Sequence, residues 1–161
     1  MTPLKSPIEW KFAAAVKDVF DPTFISYLPS SDLRTMLQTW DDDAVHLYAC
    51  APQVRCGPHR VDFLFIGFCC EVNPAMVAVE CDGHEFHERT KEQAARDKAR
   101  DRDLARMGIH VMRFTGSEVH RNPAACAREV QKLLDLRCFD AMAALHPKTF
   151  IELGIEAGFK P

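Results

Sequence analysis

The 161-residue sequence is first informative for what it lacks. It has no long hydrophobic run. The longest apolar stretch, Phe63 to Cys70, is far too short to span a bilayer, so the sequence predicts a soluble protein. It has no excess of positive charge. A formal charge of -3 excludes a globally basic nucleic-acid binder, although a local basic face remains compatible with phosphate contacts. No C-x-x-C pair occurs among its seven cysteines, the number is odd, and adjacent Cys69 and Cys70 would point to opposite faces of a strand. Small buried hydrophobes in a reducing cytoplasm explain them better than a disulfide framework. Repeats, low-complexity segments and linkers are absent, and the N-terminal residues, carrying Lys5 and Lys11, have no continuous apolar core of a signal peptide. One globular domain over residues 1–161 is expected, with its core at about 6–138 and a tail at 139–161.

What is present reads as alternating helices and strands. Ser6-Pro7-Ile8-Glu9 is a helix start, with Ser as N-cap, Pro in the first position and an acid in the first turn. That helix should run to about Phe20 and stop before Pro22. A short helix is expected at Ser31–Trp40 and a short strand at Val45–Ala49. Gln53-Val54-Arg55-Cys56-Gly57-Pro58 reads as a turn-containing link. Val61–Cys70 and Met76–Cys81 read as two strands of a hairpin around Asn73-Pro74. His87–Met107 is helical by propensity and net basic, and Gly108 stops it. Ile109–Phe114 is the next strand. Ser117–Cys138 holds a last helix, restarted at Asn122-Pro123, and Phe150–Ala157 could form a short helix in the tail. The order predicts an α/β sandwich: a mixed central sheet flanked by helices on both faces.

Carboxylates inside the strand-like runs carry the chemistry. Glu80 and Asp82 are two apart on one strand and would share a face, while Asp62 lies on the strand expected alongside. Ionised carboxylates are rarely buried unless paired or metal-bound, and like charges at close range repel. A hard divalent cation resolves both problems, which points towards a nuclease. The alternatives for each residue are ordinary ones. Asp62 could pair with Arg60 or Arg113, Asp82-Gly83 could be a turn, and Glu9 could be a first-turn helix acid. His84 and His87 form an H-x-x-H pair without partners at zinc-site spacing. Lys91, Arg96 and Arg100 could track phosphates, or simply lace a solvated helix with charge.

Taken in order, Ser6–Glu9, Pro52–Val54, Arg60–Phe63, Val79–Gly83 with a following His, an Arg/Asp/Leu element over Asp101–Ala105, and Val111–Phe114 resemble the PD-(D/E)xK nuclease superfamily. Within it, the chain looks most like very-short-patch repair endonucleases and their uncharacterised relatives. The resemblance implies a restriction-endonuclease-like αβββαβ core and a DNA endonuclease dependent on Mg²⁺, with Mn²⁺ as an alternative. It also implies Asp62 and Glu80 as metal ligands, the Cys81 carbonyl as a further ligand and Glu9 as an outer or second-metal carboxylate. DNA is the implied partner, contacted by Lys91, Arg96, Arg100 and Arg113, with monomer and homodimer both open. One position departs from the pattern: Asp82 stands where the family has a catalytic lysine. His87, Lys91 and Gln93 are candidates to replace it, and a His after the acidic strand takes a catalytic role in the repair-endonuclease relatives. A non-catalytic nucleic-acid-binding module on the same fold is the main rival, and a redox or zinc protein built on the cysteines a weaker one.

Overall fold

The computed structural model describes residues 4–29, 31–41, 47–67, 74–82 and 91–145. The expected helix at Phe150–Ala157 and the residues His84 and His87 lie outside them. Helix α1 (Pro7–Val19) is followed by strand β1 (Ile25–Tyr27), helix α2 (Leu33–Asp41) and strands β2 (Tyr48–Cys56), β3 (His59–Gly67) and β4 (Ala75–Asp82). Helix α3 (Lys91–Arg106), strand β5 (Ile109–Thr115) and helices α4 (Gly116–Arg121) and α5 (Pro123–Leu145) complete the order. The αβββαβ core anticipated from sequence is therefore α1, β2, β3, β4, α3 and β5.

Local chemistry explains the helix boundaries. Ser6 caps α1 by accepting from the Glu9 amide, and Pro7 occupies the first helical position. Thr115 and Glu118 form a capping box that starts α4 directly from the end of β5. Pro123 restarts the chain as α5 after Asn122, and α5 runs on to Leu145, beyond the expected end at Cys138. Gly108, at φ +75°, provides the left-handed turn from α3 into β5.

The sheet runs β1-β2-β3-β4-β5. Its outer pairs, β1–β2 and β4–β5, are parallel, and the inner pairs β2–β3 and β3–β4 are antiparallel. It is thus a mixed sheet, and helices cover both faces. On one face Phe12 and Val16 of α1 and Val130 and Leu134 of α5 pack against Phe63, Phe65, Val77 and Val79. On the other, Met36 of α2 and Leu104 of α3 pack against Ala51, Leu64, Ile66 and Ala78. Cys50, Cys56 and Cys126 are buried in these two cores, as their apolar surroundings led us to expect. Burial pushes the Cys56 thiol up to about 11.

Two sequence expectations change. Strand β2 begins at Tyr48 and continues through Gln53–Cys56, which had read as a link, so that only Gly57 and Pro58 turn the chain into β3. The misreading arises because the strand switches faces midway. Ala51 and Val54 both enter the α2/α3 core, and so do Val61 and Leu64 of β3, which breaks strict alternation on both strands. Register passes from Pro52↔Phe63 to Val54↔Val61, leaving Gln53 and Asp62 at the rung between. Gln53 absorbs the irregularity with φ +55°. Strand β1, which had no signal in the sequence, is three residues long and held by pairing to β2.

Phe12 is fully buried, with its ring centroid 5.1 Å from that of Phe63 and 6.0 Å from that of Phe114. It ties α1 to β3 and β5 at the end of the sheet where the carboxylates lie. Phe12→Ala should destabilise the fold by about 3–5 kcal/mol, measured by urea denaturation, because it leaves a cavity among rings that cannot collapse into it.

Candidate functional site

Strands β3 and β4 are paired from Gly67↔Ala75 to Phe63↔Val79. Beyond Phe63 and Val79 they part, and a side chain takes over the role of the ladder. The Asp62 Oδ2 accepts from the Cys81 amide at 2.9 Å, and its Oδ1 accepts from Gln53 Nε2 at 3.2 Å. A carboxylate that replaces a strand-to-strand bond in this way is fixed in position by the sheet itself.

Gln53 extends the network to α1. Its Nε2 also donates to Glu9 Oε2 at 3.0 Å, so one side-chain amide spans two carboxylates. Glu9 is buried and also accepts from the Lys5 amide at 2.9 Å and the Ser6 hydroxyl at 3.1 Å. The helix cap and the site therefore share one residue. Sequence reasoning had assigned no role to Gln53, although a polar residue at the centre of Pro52-Gln53-Val54, ahead of two apolar inward positions, was its visible trace.

Glu80 lies on β4 with 7% of its surface exposed, between Val79 and Cys81. Alternation sends it, with Asp82, towards the face covered by α3. There Arg100 of α3 binds it through Nη2, and the same nitrogen donates to the Arg60 carbonyl at 2.5 Å. Burial raises the Glu80 carboxyl to about 7. Arg100 pulls in the opposite direction, and the neighbouring Asp62 adds to the rise. Asp62 and Glu80 are thus electrostatically coupled from adjoining strand ends.

Arg113 is in register with Glu80 across the parallel β4–β5 pair. Its Nη2 bonds Asp101 of α3 at 2.6 Å and its Nη1 lies 3.9 Å from Asp82. Burial alone would lower the Arg113 pKa, but Asp101, Asp82 and Glu80 together raise it. The structure therefore brings Asp62, Glu80 and Asp82 to one end of the sheet without merging them into one cluster. Asp62 is held by backbone and amide, while Glu80 and Asp82 face arginines. Among the described residues, no group of three or more His, Cys, Asp or Glu is arranged to hold a metal ion.

The remaining candidates fall on α3 or outside the described residues. Lys91 is the first residue of α3, and Arg96 and Gln93 are exposed on it. Arg96 Nε donates to the Glu92 carbonyl at 3.4 Å. Cys81 is partly exposed, and burial, helped by Asp62, Glu9 and Glu80, pushes its thiol far above the ordinary range. A thiol held protonated in this way is a poor nucleophile and a poor soft-metal ligand.

Gln53→Ala removes the donor shared by Glu9 and Asp62 and should destabilise the fold by about 1–3 kcal/mol in urea denaturation, as the buried Glu9 and the partly buried Asp62 each lose a hydrogen bond. Gln53→Glu should be the worse of the two, because it also sets a third carboxyl between two others. Equal stability of both variants and the parent would show that the bridge carries no energy.

A family model described as REase_MTES_1575 matches residues 44–134, more than half of the chain and including β2, β3, β4, α3 and β5. The chain belongs to this restriction endonuclease-like family. No curated protein and no solved structure matches it. Among the described residues no helix is long and apolar enough to cross a membrane.

Proposed function

We propose, on the premise of membership in a restriction endonuclease-like family, that the chain is a divalent-metal-dependent DNA endonuclease of the PD-(D/E)xK kind, akin to very-short-patch repair endonucleases. One observation carries the reading: Asp62 and Glu80 approach from the ends of neighbouring strands, one anchored on a main-chain amide and the other buried.

The donor chemistry fits Mg²⁺ or Mn²⁺. Both carboxylates offer hard oxygens, the Cys81 carbonyl lies in the chain between Glu80 and Asp82, and Mg²⁺ keeps several of its waters, so few protein ligands are needed. A divalent cation held there supplies an activated water and neutralises charge on the phosphate. The residues of the chain do the positioning. Cys81 N–H and Gln53 aim Asp62, and Glu9 acts from beneath through Gln53 as a positioning carboxylate. Arg113 restrains Asp82 and Asp101. Lys91, the first residue of α3, and exposed Arg96 are the proposed contacts to the backbone of the substrate. His87 is the proposed proton acceptor in place of the missing lysine, with Lys91 or Gln93 next in order.

A second reading, a DNA-binding module without turnover, is favoured by Asp82 at the lysine position and by the engagement of Glu80 with Arg100. Labelled linear, mismatched, flapped and single-stranded DNAs incubated with and without Mg²⁺ separate the two. The nuclease reading expects cleavage that needs the metal; the module expects binding without cleavage and without metal dependence.

Asp62→Asn and Glu80→Gln should each abolish cleavage while circular dichroism remains that of the parent. Retained cleavage in both, after removal of contaminating nuclease, would overturn the assignment. His87→Ala should lower the rate well over tenfold, since general-base contributions are on the order of 10²–10⁴. A change under twofold would transfer the role to Lys91 or Gln93.

A further inference from the structure

Glu80 already has a cation. Arg100 approaches it from α3, and only 21% of the Arg100 side chain and 9% of the Glu80 side chain are exposed. The guanidinium is not a loose surface partner, because the nitrogen that binds Glu80 also holds the Arg60 carbonyl just beyond Asp62's strand neighbour Val61. The next arginine, Arg113, is engaged by Asp101 and approaches Asp82, so the two arginines divide the acids of this face between them. A second cation on Glu80 would stand beside a fixed guanidinium in a poorly solvated place, where like charges interact strongly. A divalent cation drawn to this carboxylate therefore meets the repulsion of the guanidinium already bound at Glu80 Oε1.

We propose that Arg100 and the divalent metal compete for Glu80, so that the Arg100–Glu80 pair is the metal-free state of the site and metal binding releases the guanidinium. The inference rests on the metal-dependent reading given above. It makes Arg100 a positioning residue with two consequences. In the absence of metal it balances the charge of a buried carboxylate that would otherwise destabilise the sheet. Once released, on a helix whose outer side is basic, it becomes a bidentate donor available to a phosphate, the geometry for which guanidinium is suited. Metal occupancy and DNA affinity are thereby linked through one side chain.

The test measures Mn²⁺ affinity of the full chain without DNA, by titration calorimetry near pH 8, for the parent, Arg100→Gln, Arg100→Lys and Glu80→Gln. Arg100→Gln should bind Mn²⁺ at least tenfold more tightly than the parent, because Glu80 loses its competing partner, while Glu80→Gln should bind it more weakly. Arg100→Lys, which keeps the charge but not the fork, should fall between the parent and Arg100→Gln. DNA affinity in Ca²⁺ should move the other way, falling at least threefold in Arg100→Gln. Unchanged or weaker Mn²⁺ binding in Arg100→Gln would overturn the proposal, whatever its cleavage rate. Should that variant fail to fold, the parent decides: the Arg100 Nε–H nuclear resonance should shift and exchange faster on addition of Mg²⁺, and a static signal at saturating metal would overturn the proposal. Tight Mn²⁺ binding with no cleavage of any DNA would instead sink the nuclease reading and leave the competition standing.

Discussion

A carboxylate buried on a central strand sets the terms for this structure. Glu80 lies where the sheet is otherwise Val77, Ala78 and Val79, all fully buried. A charge in such a place is tolerated only with a partner close by, and a partner must be delivered by some other element. Helix α3 does this. Its Leu104 anchors it in the core below β3 and β4, and Arg100, one turn earlier, is thereby carried to Glu80. The same helix presents Asp101 to Arg113, so its packing and its charge pairing are one arrangement.

The opposite side of the site obeys the same constraint with neutral donors. Asp62 is stabilised by the Cys81 amide and by Gln53, and Glu9 by Gln53 and the start of its own helix. Gln53 can serve both only because β2 departs from regular geometry there. A residue at positive φ in a strand is disfavoured by roughly 1–3 kcal/mol and persists where its surroundings over-determine it. Here the buried Glu9, the partly buried Asp62 and a core that needs Val54 and Cys56 inside do so. The end of the sheet is thus organised around holding carboxylates in fixed positions.

Much of this was legible in the residues. Ser6-Pro7-Ile8-Glu9 announced α1 because capping is a local interaction, and Asn122-Pro123 announced the break between α4 and α5 for the same reason. Asp62 and Glu80 stood out because charged residues in apolar runs need an explanation that neighbours in sequence do not supply. The extent of β2 was hidden because its face switch scrambles the period of two on which strand recognition depends. Strand β1 was hidden because three residues carry too little pattern, and its existence rests on hydrogen bonds to Tyr48–Cys50.

The sequence alone therefore determined the helices and the strands β3, β4 and β5 to within a few residues, and that two acids on neighbouring strands demand compensation. Those properties follow from periodicity, capping and the aversion of charge to apolar surroundings, all of which act over a few residues. Only the tertiary structure decided what compensates them. Arg100 meets Glu80, and Gln53 joins Glu9 to Asp62, across separations that no local pattern encodes. Side chains that far apart are brought together by the packing of α1 and α3 on opposite faces of the sheet, and it is that packing which assigns each carboxylate its partner.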